Sequence, residues 1–260
     1  MYPFIRILGR DIGTYGLCMA LGFMLAAVLA MRRGKAKGLI IEDLLIVAAI
    51  ALGFAVIFGN VVYILVTYSP AQIIEFVSQG DFSFIGTGIV FYGGLIGGVL
   101  GALLGIRVAN CGLSVIEYSV VPFIPLGHAI GRVGCVLAGC CHGFEYSGPF
   151  AIYYPASVLQ LSPEQGYFPV QLLEAVINIG ICVFLVNYGK KNRPKYMVLF
   201  AYLGMYAVAR FFLEMLRGDA IRGVWYSLST SQIISIMLLL VSVSGMLWSK
   251  HRHKQTTNNP

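Results

Sequence analysis

Charge is what this sequence has least of. Asp, Glu, Lys and Arg make up 11% of its 260 residues and hydrophobic types 58%, where a soluble domain carries roughly 25% charged residues. Mean hydropathy is +0.81. No soluble core in so short a chain hides that much apolar surface, so a soluble globular fold is excluded and lipid is the expected solvent. Carboxylates are scarcer than bases, 11 against 18, giving a net charge of +7. The bases sit in short clusters between apolar runs rather than on one continuous face, so no nucleic-acid partner is expected. Cysteines are too few and too bunched for a disulfide framework: Cys135, Cys140 and Cys141 cluster, while Cys18, Cys111 and Cys182 stand apart. No cleavable leader is expected, because the first apolar run has full spanning length and lacks a small-residue cleavage site. An internal repeat of the kind found in many secondary transporters is also lacking.

Long apolar runs are what the sequence does contain. Seven stand out: Ile12–Met31, Leu44–Val66, Phe84–Ile106, Leu113–Leu137, Pro169–Tyr188, Tyr196–Leu216 and Gln232–Trp248. Each approaches the ~20 residues that cross a ~30 Å hydrocarbon layer as a helix, and helices satisfy their own backbone where there is no water. Basic clusters follow the odd-numbered runs, at Arg32–Lys37, Arg107, Lys190–Lys195 and Lys250–Lys254. The stretch Ser69–Ser83 has acids but no Lys or Arg. The positive-inside rule then puts the N-terminus outside and the C-terminus in the cytoplasm, with Arg6, Arg10, Arg217 and Arg222 as exceptions. The expected architecture is an all-α polytopic membrane protein of about seven helices. It forms a single membrane domain over residues 1–260, with an outer loop or interfacial segment at 138–168. Pro70–Val77 reads as a short amphipathic piece. Tyr146, Tyr153, Tyr154 and Tyr167 suit the headgroup layer, where a ring keeps one wet edge.

Charge at membrane depth is costly and marks a partner or a function. Arg210, Glu214 and Arg217 share one face of the sixth run at i, i+4, i+7. This is either a structural ion pair or an anion site, since a guanidinium fork matches phosphate. His128, Arg132 and Cys135 share a face near the end of the fourth run, followed by Cys140-Cys141-His142 between Gly139 and Gly143. Those thiols are open to a reactive role, while adjacent cysteines do not match the usual zinc spacing, so no metal is expected. Gln171, Glu174 and Asn178 form a polar stripe on the fifth run that either bonds neighbouring helices or joins the site. The third run carries Gly93, Gly97, Gly101 and Gly105 at four-residue spacing. That pattern suits close helix approach, though Tyr92-Gly93-Gly94 could also bring backbone near a ligand. Tyr15 and Asn60 read as packing contacts or site lining.

Taken in order, these segments resemble the prolipoprotein diacylglyceryl transferase family. The resemblance is carried by Gly13-Thr-Tyr15-Gly-Leu, Tyr92-Gly-Gly-Leu-Ile-Gly97 and Gly131-Arg-Val-Gly134 continuing to Gly143. Pro169-Val-Gln171-Leu-Leu-Glu174, Arg210-Phe-Phe-Leu-Glu214-Met-Leu-Arg217 and Ser231-Gln232-Ile-Ile-Ser235 complete it. It implies transfer of diacylglycerol from phosphatidylglycerol to the thiol of a lipobox cysteine, in the signal-peptide segment of a prolipoprotein. The location implied is the bacterial cytoplasmic (inner) membrane, and no cofactor is implied. By position, Arg132 and Arg210 would bind the headgroup phosphate, Glu214 would hold Arg210, and Tyr92 would act in catalysis. Tyr15, Gly93, Gly94, Gly131, Gly134, Cys135, Cys140, Gly143, Gln171 and Glu174 would line the substrate. The chain departs from the family pattern where His usually precedes the Gly-Gly, here Tyr92. It departs again where Asn, Asn and Glu usually stand, here Cys135, Ala138 and Cys140, and at Phe168 and Leu173 in place of His and Tyr. These departures keep two alternatives open: a related transferase with another acceptor that uses Cys140 or Cys141, and a non-catalytic phospholipid binder.

Overall fold

The computed structural model describes residues 4–7, 9–155, 163–191, 193–218, 224–225 and 228–258. Arg222, one of the basic exceptions, and residues 156–162 of the outer segment lie outside the described residues. The elements run β1 (Phe4–Ile7), β2 (Arg10–Gly13), α1 (Thr14–Gly34), α2 (Ile41–Thr67), α3 (Pro70–Ser78) and α4 (Phe91–Val108). They continue with α5 (Leu113–Ser119), α6 (Ile124–Ala138), β3 (Ile152–Tyr153), β4 (Gly166–Tyr167) and α7 (Val170–Tyr188). Then come α8 (Met197–Met215), β5 (Val224–Trp225), β6 (Leu228–Ser229) and α9 (Thr230–Asn258). Among the described residues seven helical stretches are long and apolar enough to cross a membrane, with α5 and α6 together making one of them. The described strands form three two-stranded antiparallel sheets that the hydropathy pattern does not announce.

The first and last helices run past their expected ends, to Gly34 and Asn258, and two other spans differ from the sequence expectation for local reasons. The third span begins at Phe91 rather than Phe84, because Gly86 adopts φ +84° and the segment before Phe91 is turn and extended chain. The fourth span is broken into α5, a single 3-10 turn at Val121–Phe123 and α6. Pro122 and Pro125 account for the break, since each lacks the N–H that an uninterrupted helix needs.

The described residues form two compact units, Gly34–Ile116 and the remainder of the chain. In the first unit α2 and α4 pack antiparallel along the glycine ladder. A Cβ on Gly97 would lie 2.3 Å from the Phe54 carbonyl oxygen, on Gly101 2.7 Å from that of Ile50, and on Gly105 2.8 Å from Val47 Cα. Nothing larger than hydrogen fits, so the four-residue spacing is explained by backbone approach. Asn60 donates from Nδ2 to the Gly88 carbonyl at 3.0 Å, which keeps a buried amide satisfied next to the start of α4. Ser69 and Gln72 close a reciprocal capping box on α3.

In the second unit small residues make two antiparallel helix pairings, and two polar side chains tie further helices together. Between α1 and α6, Gly22 meets Gly127, Gly131 meets Met19, and Gly134 meets Cys18 and Tyr15. Between α8 and α9, the Ser242 hydroxyl donates to the Phe200 carbonyl at 2.7 Å and the Ser249 hydroxyl to that of Lys195 at 2.6 Å. Buried Glu117 on α5 accepts from the backbone N–H groups of Tyr196, Val198 and Leu199 at 2.6, 2.9 and 3.3 Å, so one carboxylate caps the start of α8. Arg33 donates to the carbonyls of Tyr118 and Val186 at 2.8 and 3.0 Å, tying α1 to α5 and α7.

Candidate active site: paired arginines and a thiol cluster

The site grows from α6 and α7 running antiparallel. The four-residue step from His128 to Arg132 presents both to α7, where Glu174 waits one turn beyond Gln171. Glu174 Oε1 is 3.0 Å from Arg132 Nη2 and 3.4 Å from His128 Nε2. The Glu174 side chain is 2% exposed and that of Arg132 14%, so the pair sits in a dry setting where neither charge is tenable alone. Asn178 Nδ2 donates to the Glu174 carbonyl at 2.8 Å. Gln171 Nε2 donates to the Cys140 carbonyl at 2.8 Å and to the Tyr154 hydroxyl at 2.9 Å, locking the chain after α6 against α7.

A second ion pair stands on α8. Arg210 pairs with Glu214 one turn on, and its Nη2 also donates to the Ser231 hydroxyl at 3.2 Å, at the start of α9. Arg132, Glu174 and Arg210 all act electrostatically on His128, so the two arginine regions flank one histidine. Among the described residues three buried guanidinium nitrogens lack a hydrogen-bond partner, Arg33 Nη2, Arg132 Nε and Arg210 Nη1, as do the oxygens Gln171 Oε1, Glu174 Oε1 and Asn178 Oδ1. Of the three nitrogens, those of Arg132 and Arg210 belong to the residues that act on His128. A buried N–H without an acceptor costs about 1–3 kcal/mol, more on a charged group. The pair therefore offers unfilled, charge-assisted donors to an anion.

Beyond Arg132, α6 ends in a Schellman cap. Gly139 turns into the left-handed region at φ +75°, its N–H bonds the Val136 carbonyl, and the Cys140 N–H bonds the Cys135 carbonyl at 3.0 Å. That cap brings the side chains of Cys135 and Cys140 together. Cys141, itself at φ +60°, folds its thiol back, and all three sulfurs lie within 4.8 Å of one another. Arg132 Nη1 is 3.9 Å from Cys135 Sγ, and Arg217 hydrogen-bonds Cys141. Hydrogen bonds from Cys135 and Cys140, with Arg217 adding to them, hold the Cys141 thiol below the usual thiol range, while Cys140 is pushed up. The chain then passes Gly143, whose N–H bonds the Phe168 carbonyl at 3.1 Å and whose neighbour Phe144 bonds the Leu216 carbonyl at 3.2 Å. A Cβ on Gly143 would lie 2.6 Å from the Phe168 carbonyl oxygen.

Most of the expected residues thus converge in one unit: Arg132, Cys135, Cys140, Gln171 and Glu174 in contact, and Arg210 with Glu214 beside them. Gly131 and Gly134 serve the α1–α6 packing, and the latter sets Tyr15 against α6. Tyr92, Gly93 and Gly94 belong to the other unit. There a Cβ on Gly93 would lie 2.7 Å from the Phe58 carbonyl oxygen, whereas one on Gly94 would have ordinary room. One expectation is refined: Arg210, Glu214 and Arg217 do not act as a single triad, since Glu214 serves Arg210 and Arg217 reaches Cys141. Sequence reasoning placed Tyr154 in the headgroup layer with a wet edge, but it is buried at 1% exposure and its hydroxyl accepts from the Gln171 amide; nothing in its surroundings in sequence sets it apart from the other loop tyrosines. Alongside these pairs an apolar groove of about 710 Å³ runs between α7, α8 and α9, lined by residues such as Leu173, Ile177, Phe212, Leu213 and Leu216.

A family model described as prolipoprotein diacylglyceryl transferase matches residues 3–248. The phosphatidylglycerol–prolipoprotein diacylglyceryl transferase 2 of Clostridium perfringens is 34% identical over 241 residues, covering 90% of each chain. The corresponding transferase of Clostridium tetani is 30% identical over 239 residues, 92% of this chain and 93% of that one. That of Clostridioides difficile is 29% identical over 253 residues, 97% and 96% of the two chains.

Proposed function

Because the chain belongs to the prolipoprotein diacylglyceryl transferase family, we propose that it transfers the diacylglyceryl group of phosphatidylglycerol to the thiol of a lipobox cysteine. The observation that supports the site assignment is the pair of buried arginines with unfilled donors, Arg132 Nε and Arg210 Nη1. In this reading those donors take the headgroup phosphate. Glu174 and Glu214 keep each guanidinium oriented and prevent an unbalanced charge at membrane depth. As the peptide sulfur attacks the glycerol carbon, a C–S bond forms and the C–O bond to phosphate breaks. The electron pair leaves with glycerol phosphate, and the thiol proton passes to a base. Fixed positive charge in a water-poor site stabilises the departing phosphate without reorganising solvent.

The acyl chains take the groove between α7, α8 and α9, whose lining includes Leu213 and Leu216 on either side of Glu214. Tyr15, Cys135, Cys140 and Gln171 are assigned to the substrate side, and Gly131, Gly134 and Gly143 make the close approaches that hold those residues in place. Tyr92, Gly93 and Gly94 are assigned to the reaction on sequence correspondence alone. The basic clusters Arg32–Lys37, Lys190–Lys195 and Lys250–Lys254 are assigned to the cytoplasm and the N-terminus to the outer side of the cytoplasmic membrane. The test is product release. Purified protein given phosphatidylglycerol should liberate glycerol phosphate with a lipobox peptide and not with its Cys→Ser counterpart. Equal release with both peptides would make the reaction hydrolysis and reject the thiol acceptor.

A further inference from the structure

The Cys135–Cys140–Cys141 cluster goes beyond the transfer reaction, and it stands whether or not the chain turns over lipid. Three thiols converge because of two backbone events, the Schellman cap at Gly139 and the left-handed Cys141. The linear spacing of the cysteines hides this, which is why the sequence points away from a metal. Their sulfurs lie within 4.8 Å of one another. A d10 ion with bonds of ~2.3 Å to three thiolates needs sulfurs about 4 Å apart, so the cluster is within an ångström of ligating geometry. All three cysteines are free thiols.

The surroundings favour a cation bound by thiolates. Three thiolates on a divalent ion leave one net negative charge, and each thiol still protonated gives up its proton on binding. Arg217 at Cys141 and Arg132 at Cys135 offset that charge. Gln171, buried and bonded to the Cys140 carbonyl at 2.8 Å, holds one ligand's backbone in place. We infer that Cys135, Cys140 and Cys141 form a binding site for a thiophilic divalent ion of the zinc or cadmium class, at the C-terminus of α6.

The test uses the full-length protein, reduced and metal-free in detergent, titrated with Cd2+ in the absence of lipid and peptide. The expected result is one ion per chain, with a sulfur-to-cadmium charge-transfer band in the near ultraviolet. Cys140→Ser and Cys141→Ser should each weaken binding at least tenfold and remove most of the band, and Cys111→Ser should leave both unchanged. No band in the wild-type protein, or an undiminished band in the Cys140→Ser/Cys141→Ser double variant, would overturn the assignment. Should the serine variants fail to fold, labelling of the wild-type protein decides. Zn2+ should protect Cys140 and Cys141, and not Cys111, from iodoacetamide, and equal labelling with and without Zn2+ would overturn it.

Discussion

Replacing Arg132 by Met separates two roles that a simple loss of activity would confuse. Arg132 pairs at 3.0 Å with a Glu174 side chain that is 2% exposed. Removing the guanidinium leaves that carboxylate buried with His128 Nε2, at 3.4 Å, in place of a full counter-charge, which costs roughly 3–5 kcal/mol. At about 2–4 °C per kcal/mol for a chain of this size, the midpoint of thermal unfolding in detergent should fall by roughly 6–20 °C. Adding Glu174→Gln removes the stranded charge, and a buried pair replaced on both sides is often near neutral in stability. The double variant Arg132→Met/Glu174→Gln should therefore recover most of the lost midpoint. Its transfer activity should not recover, because the donor to the phosphate is still gone; losing one such donor costs about 100- to 1000-fold in rate. Thermal unfolding and product release on the wild type, Arg132→Met and the double variant measure both. If activity returns in step with stability, Arg132 is a structural partner of Glu174 and its assignment to the phosphate is wrong.

Four further outcomes are expected. Gly97→Ala should destabilise the α2–α4 pair by about 1–3 kcal/mol, because its Cβ would meet the Phe54 carbonyl at 2.3 Å, while Gly98→Ala, at 3.7 Å from Ala55, should be neutral in the same unfolding assay. Glu117→Ala should cost at least ~2 kcal/mol, since three backbone N–H groups at the start of α8 lose their acceptor; Glu117→Gln should restore part of it. A thiol held below its usual range stays a thiolate as pH falls, and one pushed up does not. Cys141 should thus be alkylated at mildly acidic pH before Cys111, which burial and then Asp43 push up, as peptide mass mapping would show. Tyr92→Phe should lower turnover while Tyr92→His, which restores the family's residue, retains it; equal rates in all three would remove Tyr92 from the reaction.

The membrane architecture was legible because its signal is additive over ~20-residue runs. Four of the seven spans keep their expected ends to within a turn, the third starts at Phe91 instead of Phe84, and the first and last run on through the basic clusters to Lys37 and Gln255. The glycine ladder was legible for the same reason, a periodicity repeated four times. The arginine sites were half legible. Membrane-depth Arg132 and Arg210 declare themselves by cost, and the i, i+4 step gives Arg210 its Glu214. The partner of Arg132 is on another helix, and the Gln171, Glu174, Asn178 stripe does not say which neighbour it faces. Least legible was the thiol cluster. Its geometry depends on two left-handed residues, one of them a cysteine, where glycine is the usual signal. The hairpins were invisible because strands of two to four residues carry too short a pattern.

The central claim is that this chain joins a diacylglyceryl group to a peptide thiol through the Arg132 and Arg210 site. The most direct measurement is the intact mass of a lipobox peptide after incubation with purified protein and labelled phosphatidylglycerol. The account predicts a diacylglyceryl adduct on the peptide cysteine, abolished by Arg132→Met/Glu174→Gln although that variant is stable. No adduct from the wild-type chain, with a related transferase active in the same vesicles, would contradict it.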